Sequence, residues 1–188
     1  MFHQTVKKVQ GCTLCQHQLS HGVRPVLQVN AKARILVAGQ APGAKVHASG
    51  VPFDDLSGNR LREWMGISNQ LFYDSNTVAI LPMSFCYPGT GKSGDLPPMP
   101  ICSDTWRNEL LDLMPNIQLT LAIGQYAQKW HIEKPHKNLT ETVKNYQSYD
   151  QIIPLPHPSP RNNIWLKKNP WFEEEVLPFL QQKIHQII

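Results

Sequence analysis

Residues 33–43 read ARILVAGQAPG, an apolar run that ends in a loop of glycine and proline. A short continuous apolar run bounded by turn residues predicts a strand that is buried on both faces. Three later segments repeat this pattern, and segments of helical character separate them. Strands that alternate with helices predict a parallel sheet covered by helices on both faces, which is an α/β fold.

Turn and capping residues set the predicted limits of these segments. Strands and helices are predicted in turn over residues 33–39, 57–67, 76–85, 102–114, 117–124, 125–131 and 149–156, and in a last helix from 169 onward. We expect Ser57 to cap the first helix and Ser103 or Asp104 to cap the second, because short polar side chains accept hydrogen bonds from free N–H groups. Pro178 is expected to kink or interrupt the last helix, since proline cannot donate to the helical ladder.

The bulk properties of the chain are those of a globular protein. It has 188 residues, of which 41% are hydrophobic, and a net charge of +4. No apolar run approaches the roughly 20 residues of a membrane span, and the N-terminal segment is too polar for a signal peptide. We therefore expect one domain over residues 1–188, a cytoplasmic location and no membrane partner. The mild positive charge permits a nucleic-acid partner without requiring one.

Three loops follow the predicted strands and mark the expected ligand site. In a parallel sheet, ligands bind beyond the carboxyl ends of the strands. The loops there are 39–43, the proline-rich segment 86–101 and HPSPRNN at 157–163. The first matches neither G-x-G-x-x-G nor a P-loop, which argues against a dinucleotide or nucleoside triphosphate. In the last loop, flanking prolines restrict the backbone around His157.

Four cysteines suggest a metal centre. Cys12 and Cys15 form a C-x2-C pair, and Cys86 and Cys102 lie at the two ends of the central loop region. Two thiolates at this spacing can chelate one metal, and a second pair would complete a set of four ligands. Four thiolates suit either zinc or an iron–sulfur cluster, and spacing does not choose between them. The alternative is that Cys86 and Cys102 are ordinary buried residues.

Three motifs and the cysteines together resemble the uracil-DNA glycosylase superfamily. The motifs are ILVAGQAPG at 35–43, GVPFDDLSG at 50–58 and HPSPRN at 157–162, and the cysteine arrangement is similar to that of the family 4 enzymes. The resemblance spans about residues 10–180. It implies a three-layer α/β/α sandwich with a central four-stranded parallel sheet, and a [4Fe-4S] cluster on the four cysteines. It also implies a monomeric, nucleoid-associated bacterial repair enzyme that excises uracil from DNA by hydrolysis.

The resemblance assigns catalytic roles, but the acidic residue that relatives have in the first loop (residues 39–43) is absent from this sequence. His157 matches the catalytic histidine, which would donate to the O2 atom of the departing base. Gln40 and Ala41 complete the predicted catalytic set through backbone N–H groups, and the Gln40 amide is a candidate for positioning water. Gln40 replaces the glutamate of the family 4 motif, and Ala41 replaces the aspartate of family 1. Asp54 or Asp55 is a possible substitute, and a slow or narrow enzyme is expected.

The same resemblance predicts how the base is held. Phe53 matches the stacking phenylalanine, and Gly39, Met83 and Ser84 are the other predicted base contacts. Pro82 stands where an asparagine reads uracil in family 4, so another deaminated base, such as hypoxanthine or xanthine, is an alternative substrate. Covalent capture of an abasic site through a histidine, His47 or His157, is a further alternative. The last alternative is a protein that binds damaged DNA without catalysing a reaction.

Contacts to DNA are expected mainly from the last loop. Ser159, Arg161 and Asn162 are the predicted DNA-binding residues, with Arg161 entering the gap left by the flipped base or binding phosphate. Other possible phosphate contacts are Lys45, Lys92 and Ser93. Such contacts position a protein on DNA and carry no sequence information.

Overall fold

A four-stranded parallel sheet forms the centre of the protein. In the computed structural model, which describes residues 1–92 and 94–188, the chain order of its strands is β1 (Ile35–Ala38), β2 (Val78–Ile80), β5 (Leu119–Ile123) and β6 (Ile152–Leu155). Their spatial order is β2-β1-β5-β6, and every neighbouring pair is parallel. The sheet with its helices confirms the predicted α/β/α sandwich.

Helices connect the strands and cover the sheet. They are α1 (Phe2–Gln10), α2 (Ala44–Ser49), α3 (Leu56–Met65), α4 (Asn69–Phe72), α5 (100–112), α6 (Gly124–His131), α7 (Leu139–Lys144), α8 (Asn163–Lys168) and α9 (172–187). Short 3₁₀ turns occupy Gln16–Gln18, Tyr146–Ser148 and Pro160–Asn162. No helix among the described residues is long and apolar enough to cross a membrane.

Alternate residues of β1 enter two separate apolar clusters, one on each face of the sheet. Ile35 and Val37 pack with residues of α3 and α9, including Phe172. Leu36 packs on the opposite face with residues of α1 and α5, including Leu110. All five of these residues are no more than 1% exposed. Burial on both faces explains why the strands are continuously apolar instead of alternating.

The predicted helix starts were partly wrong. Asp55 caps α3, and its Oδ1 accepts a hydrogen bond from the Gly58 N–H at 2.8 Å, so Ser57 lies in the first turn. Ser103 and Asp104 lie inside α5 instead of capping it, because that helix already starts at residue 100. The starting residue is a proline, whose fixed φ suits the first turn.

Pro178 does not interrupt the last helix. The segment Phe172–Val176 forms a wider π-helical turn, and α-helix continues over Leu177–Ile187. In a regular helix the proline ring clashes with the carbonyl four residues earlier, and a π turn next to it gives this group room. The helix therefore stays whole and keeps Leu180 in the core.

The proline-rich insertion after β2 contains a small hairpin. Strand β3 (Thr90–Gly91) pairs antiparallel with β4 (Gly94–Asp95). The Leu96 N–H donates to the Gly89 carbonyl at 2.8 Å and extends this pairing. The hairpin lies beside the loop at residues 39–43, called the first loop below. The Gln40 Nε2 in this loop donates to the Leu96 carbonyl at 3.3 Å.

Candidate active site

A cavity of about 260 Å³ lies at the carboxyl ends of β1, β2 and β6. All three predicted loops contribute to its wall. It brings together the predicted residues Gly39, Gln40, Ala41, Phe53, His157, Ser159 and Arg161. A neighbouring cavity of about 240 Å³ shares five of these and adds Asn162. The sheet therefore collects residues from distant parts of the sequence, as parallel topology predicts.

His157 is fixed at both its ring and its backbone. The Ser159 N–H donates to the ring Nδ1 at 3.2 Å, and the Asn162 Nδ2 donates to the His157 carbonyl at 2.7 Å. Burial lowers the pKa of His157, and the negative charges of Asp55 and Asp95 act in the opposite direction. A neutral ring whose Nδ1 accepts a hydrogen bond carries its proton on Nε2. The cavity thus contains a neutral N–H donor.

Phe53 has a strained backbone that its surroundings maintain. Among the described residues it is the one non-glycine residue with positive φ, at 56°. A Cβ on Gly58 would lie 1.7 Å from the Phe53 carbonyl oxygen, and a Cβ on Gly39 would lie 3.4 Å from its ring. The ring also makes an edge contact with Phe72, at 6.1 Å between centroids. Strain of this kind costs about 1–3 kcal/mol and is concentrated at functional sites.

Backbone hydrogen bonds place Met83 and Ser84 behind the first loop. The Met83 N–H donates to the Gly39 carbonyl at 2.8 Å, and the Ser84 N–H donates to the Gln40 carbonyl at 3.1 Å. Both side chains are buried and do not line the cavity, whereas the neighbouring Pro82 does. These two predicted base contacts therefore support the loop from behind.

Comparison with known families agrees with this geometry. A model of the Uracil DNA glycosylase superfamily matches residues 27–181. The chain belongs to the uracil DNA glycosylase superfamily. Membership supports a DNA glycosylase, a hydrolase of DNA repair that binds DNA as its substrate. The matched region contains all three loops and every residue that lines the cavity except Val26, and it begins after Cys12 and Cys15.

Two carboxylates line the cavity of this superfamily member, and neither comes from the first loop. Asp55 precedes α3, and Asp95 ends the hairpin strand β4. Asp54 is exposed and lies outside the cavity lining. Sequence reasoning missed Asp95, because a lone acid in a glycine- and proline-rich insertion gives no sign of where the hairpin folds. Tertiary contacts of the hairpin, such as the hydrogen bond from Gln40 to Leu96, bring it to the site.

Basic side chains lie around the cavity entrance. Arg161 and Lys45 both line the cavity, with Arg161 against the hairpin, since a Cβ on Gly94 would lie 2.6 Å from its Nη1. Lys92 is exposed in the hairpin turn, and Ser93 lies outside the described residues. Arg161 and Lys45 are thus available to a phosphate backbone at the cavity mouth.

The four cysteines come from three segments of the chain and influence one another electrostatically. Burial, together with the charges of the other cysteines, raises the pKa of Cys86 to about 11 and that of Cys102 to about 12. The Trp106 Nε1 donates to Cys12 Sγ at 3.3 Å, and the Phe85 N–H donates to Cys102 Sγ at 3.3 Å. In the part of the chain that the structure describes, no three His, Cys, Asp or Glu side chains form a site for one metal ion.

Proposed function

We propose that this protein is a monofunctional uracil-DNA glycosylase. It flips deaminated cytosine out of DNA and hydrolyses the N-glycosidic bond, leaving an abasic site. The observation that carries the proposal is the pairing of a neutral, pre-oriented His157 with Phe53 in one cavity. The superfamily membership supports the reaction class, and the choice of uracil rests on these two residues and the motifs around them.

Phe53 supplies the surface for the flipped base. Flipping costs a few kcal/mol, and least where the base is mismatched or unpaired. Stacking on an aromatic ring returns about 1–3 kcal/mol and tolerates any base, because every base has a π face. The ring is held in place by Gly39 and Phe72, so little entropy is lost when the base arrives.

His157 stabilises the departing base. As the bond from C1′ to the base nitrogen breaks, the sugar becomes cationic and uracil leaves as an anion with charge on O2. A neutral Nε2–H that is already in place stabilises this charge more than it stabilises the substrate. The backbone N–H groups of Gln40 and Ala41 are second donors to the base. The Gln40 Nε2 is engaged with Leu96, so this side chain fixes the loop.

The proposal includes a structural [4Fe-4S] cluster held by Cys12, Cys15, Cys86 and Cys102. N–H donors to Sγ of Cys12 and Cys102 support it, because metal-bound thiolates accept such bonds. One zinc ion held by the same four sulfurs, each about 2.3 Å from the metal, is the alternative. The bound cluster would tie the N-terminal turn to α5. Anaerobic purification should yield brown protein with about four irons per chain, whereas colourless protein with one zinc would overturn it.

A second candidate is excision of hypoxanthine or xanthine. The cavity wall has carboxylates at Asp55 and Asp95 and a proline at Pro82, and no asparagine lines it among the described residues. A carboxylate only accepts hydrogen bonds, so it can bind the ring N–H of uracil, hypoxanthine or xanthine, but it cannot donate to their carbonyl oxygens as an asparagine amide does. The cavity wall thus offers fewer hydrogen bonds to the edge of uracil than a wall with an asparagine would.

One assay tests both candidates. Single- and double-stranded oligonucleotides that contain uracil, hypoxanthine or xanthine are incubated with the protein and cleaved with alkali. Cleavage at uracil is the expected result, and cleavage at a purine alone would replace the first candidate by the second. DNA that is bound without any cleavage would overturn the enzyme function. A DNA adduct that survives denaturation would indicate covalent capture instead of hydrolysis.

A further inference from the structure

The first loop contains no group that can accept a proton from water. Its residues 40 and 41 are Gln40 and Ala41, and the Gln40 amide already donates to the Leu96 carbonyl. Hydrolysis of the glycosidic bond adds water to C1′, and a proton must leave that water. A carboxylate near the sugar would raise the rate as a general base.

Asp95 lies where such a carboxylate is needed. It lines both the main cavity and the neighbouring one, as His157 and Arg161 also do. A Cβ on Gly43 would lie 3.6 Å from the Asp95 Oδ2, so this oxygen faces the first loop. Asp95 therefore belongs to the walls of both cavities, one of which contains Phe53.

A hydrogen-bond chain orients the Asp95 carboxylate. The Tyr87 and Thr90 hydroxyls are hydrogen-bonded to each other, and the Thr90 Oγ1 donates to the Asp95 Oδ1 at 3.3 Å. Tyr87 is only 3% exposed, so this chain of hydrogen bonds begins in the protein interior. Backbone pairing of Thr90 with Asp95 fixes the same segment. One carboxylate oxygen is thus held by the hairpin, and Oδ2 is directed toward the first loop.

Asp55 is less suited to this role, although it also lines the cavity. Its Oδ1 accepts the Gly58 N–H at 2.8 Å and caps α3. A capping carboxylate is stabilised as the anion by the helix dipole, and protonating it would weaken the helix start. Asp95 lies on a hairpin and caps no helix, so it can take up a proton without this cost.

We propose that Asp95 is the general base of the reaction, an inference that rests on the proposed glycosylase function. Asp95 Oδ2 takes one proton from a water molecule as the water oxygen bonds to C1′. The bond from C1′ to the base nitrogen breaks, and its electron pair leaves with the base, which His157 stabilises. The base anion is then protonated by solvent, and Asp95 returns its proton to solvent. The hairpin thus supplies the carboxylate that the first loop lacks.

Single-turnover excision by Asp95→Asn tests this role. Asparagine keeps the shape but accepts no proton, so the rate constant should fall by about 10²–10⁴-fold. Binding to an oligonucleotide with a tetrahydrofuran abasic-site analogue should stay unchanged. Asp95→Glu should recover part of the rate. Asp150→Asn is the matched control, since Asp150 is exposed and lines neither cavity, and it should react like the wild type.

The outcomes separate this inference from the proposed function. If the wild type cleaves none of the test bases, the glycosylase proposal fails before any variant is compared. If the wild type cleaves and Asp95→Asn cleaves equally fast, only the role of Asp95 is overturned. A folded Asp55→Asn variant that loses the rate while Asp95→Asn keeps it would move the role to Asp55. Equal losses of binding and rate in Asp95→Asn would show that Asp95 holds DNA instead.

Discussion

The backbone N–H of Ser159 donates to Nδ1 of His157 across 3.2 Å. This single bond fixes both the ring orientation and the tautomer, so the proton on Nε2 is available before any substrate binds. Electrostatic catalysis depends on such preorganisation, because a donor that must reorient loses part of its effect. The prolines on both sides of His157 serve the same end by restricting its backbone.

Removing the His157 ring should slow excision strongly. His157→Ala is expected to lower the single-turnover rate constant by about 10²–10³-fold, the usual cost of one transition-state donor. Quenched reactions on a uracil oligonucleotide measure this, with folding checked by circular dichroism. The control is His185→Ala, an exposed histidine near the end of α9, which should leave the rate unchanged. Equal rates for wild type and His157→Ala would remove the ring from the mechanism.

The pH dependence should reflect a neutral His157. Burial lowers its folded-state pKa below the usual value near 6.5, so the folded protein binds this proton less readily than the unfolded chain. The associated stability is present above pH 6.5 and is lost as the pH falls through the folded pKa. Protonation also sets the new Nδ1–H against the Ser159 N–H. Excision should therefore stay level through neutral pH and fall only on the acid side.

Nitrogen NMR of histidine-labelled protein provides the direct measurement. The ¹⁵N shifts of His157 should be those of a neutral ring with its hydrogen on Nε2 at pH 7, and His157→Ala assigns the signals. A ring that is cationic at pH 7 would contradict the neutral-donor mechanism. Its Nδ1 would then carry a hydrogen and could not accept the hydrogen bond from the Ser159 N–H.

The pair formed by the buried Arg107 and the partly buried His131 should make the fold sensitive to acid. The Arg107 Nη2 donates to the His131 Nε2 at 2.6 Å, and burial with the neighbouring guanidinium lowers the pKa of His131 to about 3. This pKa lies below the unfolded value, so stability is lost as the pH falls from about 6.5 toward 3. His131→Leu should cost about 1–3 kcal/mol at pH 7, because an Arg107 donor loses its partner.

Urea unfolding from pH 7 to pH 4 tests this pair. The wild type should lose stability steadily over this range, and His131→Leu should lose less, since its titrating group is gone. His185→Ala again serves as the control and should follow the wild type. Parallel curves for His131→Leu and wild type would show that other groups set the acid response.

The sequence predicted the sheet better than the site, for physical reasons. Residues 35–39 are all buried, so a local apolar run carries the whole signal for β1. The cap of α3 was missed because Asp55 and Ser57 are both good capping residues, and only the path of the chain at Phe53 decides between them. Asp95 was missed because its position depends on tertiary contacts of the hairpin with the first loop.

Gly58 should be irreplaceable because of the backbone beside it. A Cβ there would lie 1.7 Å from the Phe53 carbonyl oxygen, and this neighbour is main chain that cannot rotate away. Gly58→Ala should lower the free energy of unfolding by about 1–3 kcal/mol and reduce excision by displacing Phe53. Gly11→Ala is the control, since its Cβ would lie 3.5 Å from the nearest atom. Urea unfolding of the two variants should differ clearly, and equal stability would contradict the close approach.

Two substitutions of Phe53 should separate its strain from its stacking. Phe53→Ala and Phe53→Gly both remove the ring, so both should weaken binding of an uncleavable 2′-fluorodeoxyuridine oligonucleotide by about 1–3 kcal/mol. Glycine adopts the φ of 56° without cost, so Phe53→Gly should be more stable than Phe53→Ala by about 1–2 kcal/mol. Fluorescence anisotropy and urea unfolding measure the two quantities. Equal stabilities would show that the backbone at Phe53 relaxes once the ring is gone, and unchanged binding would mean that the base stacks elsewhere.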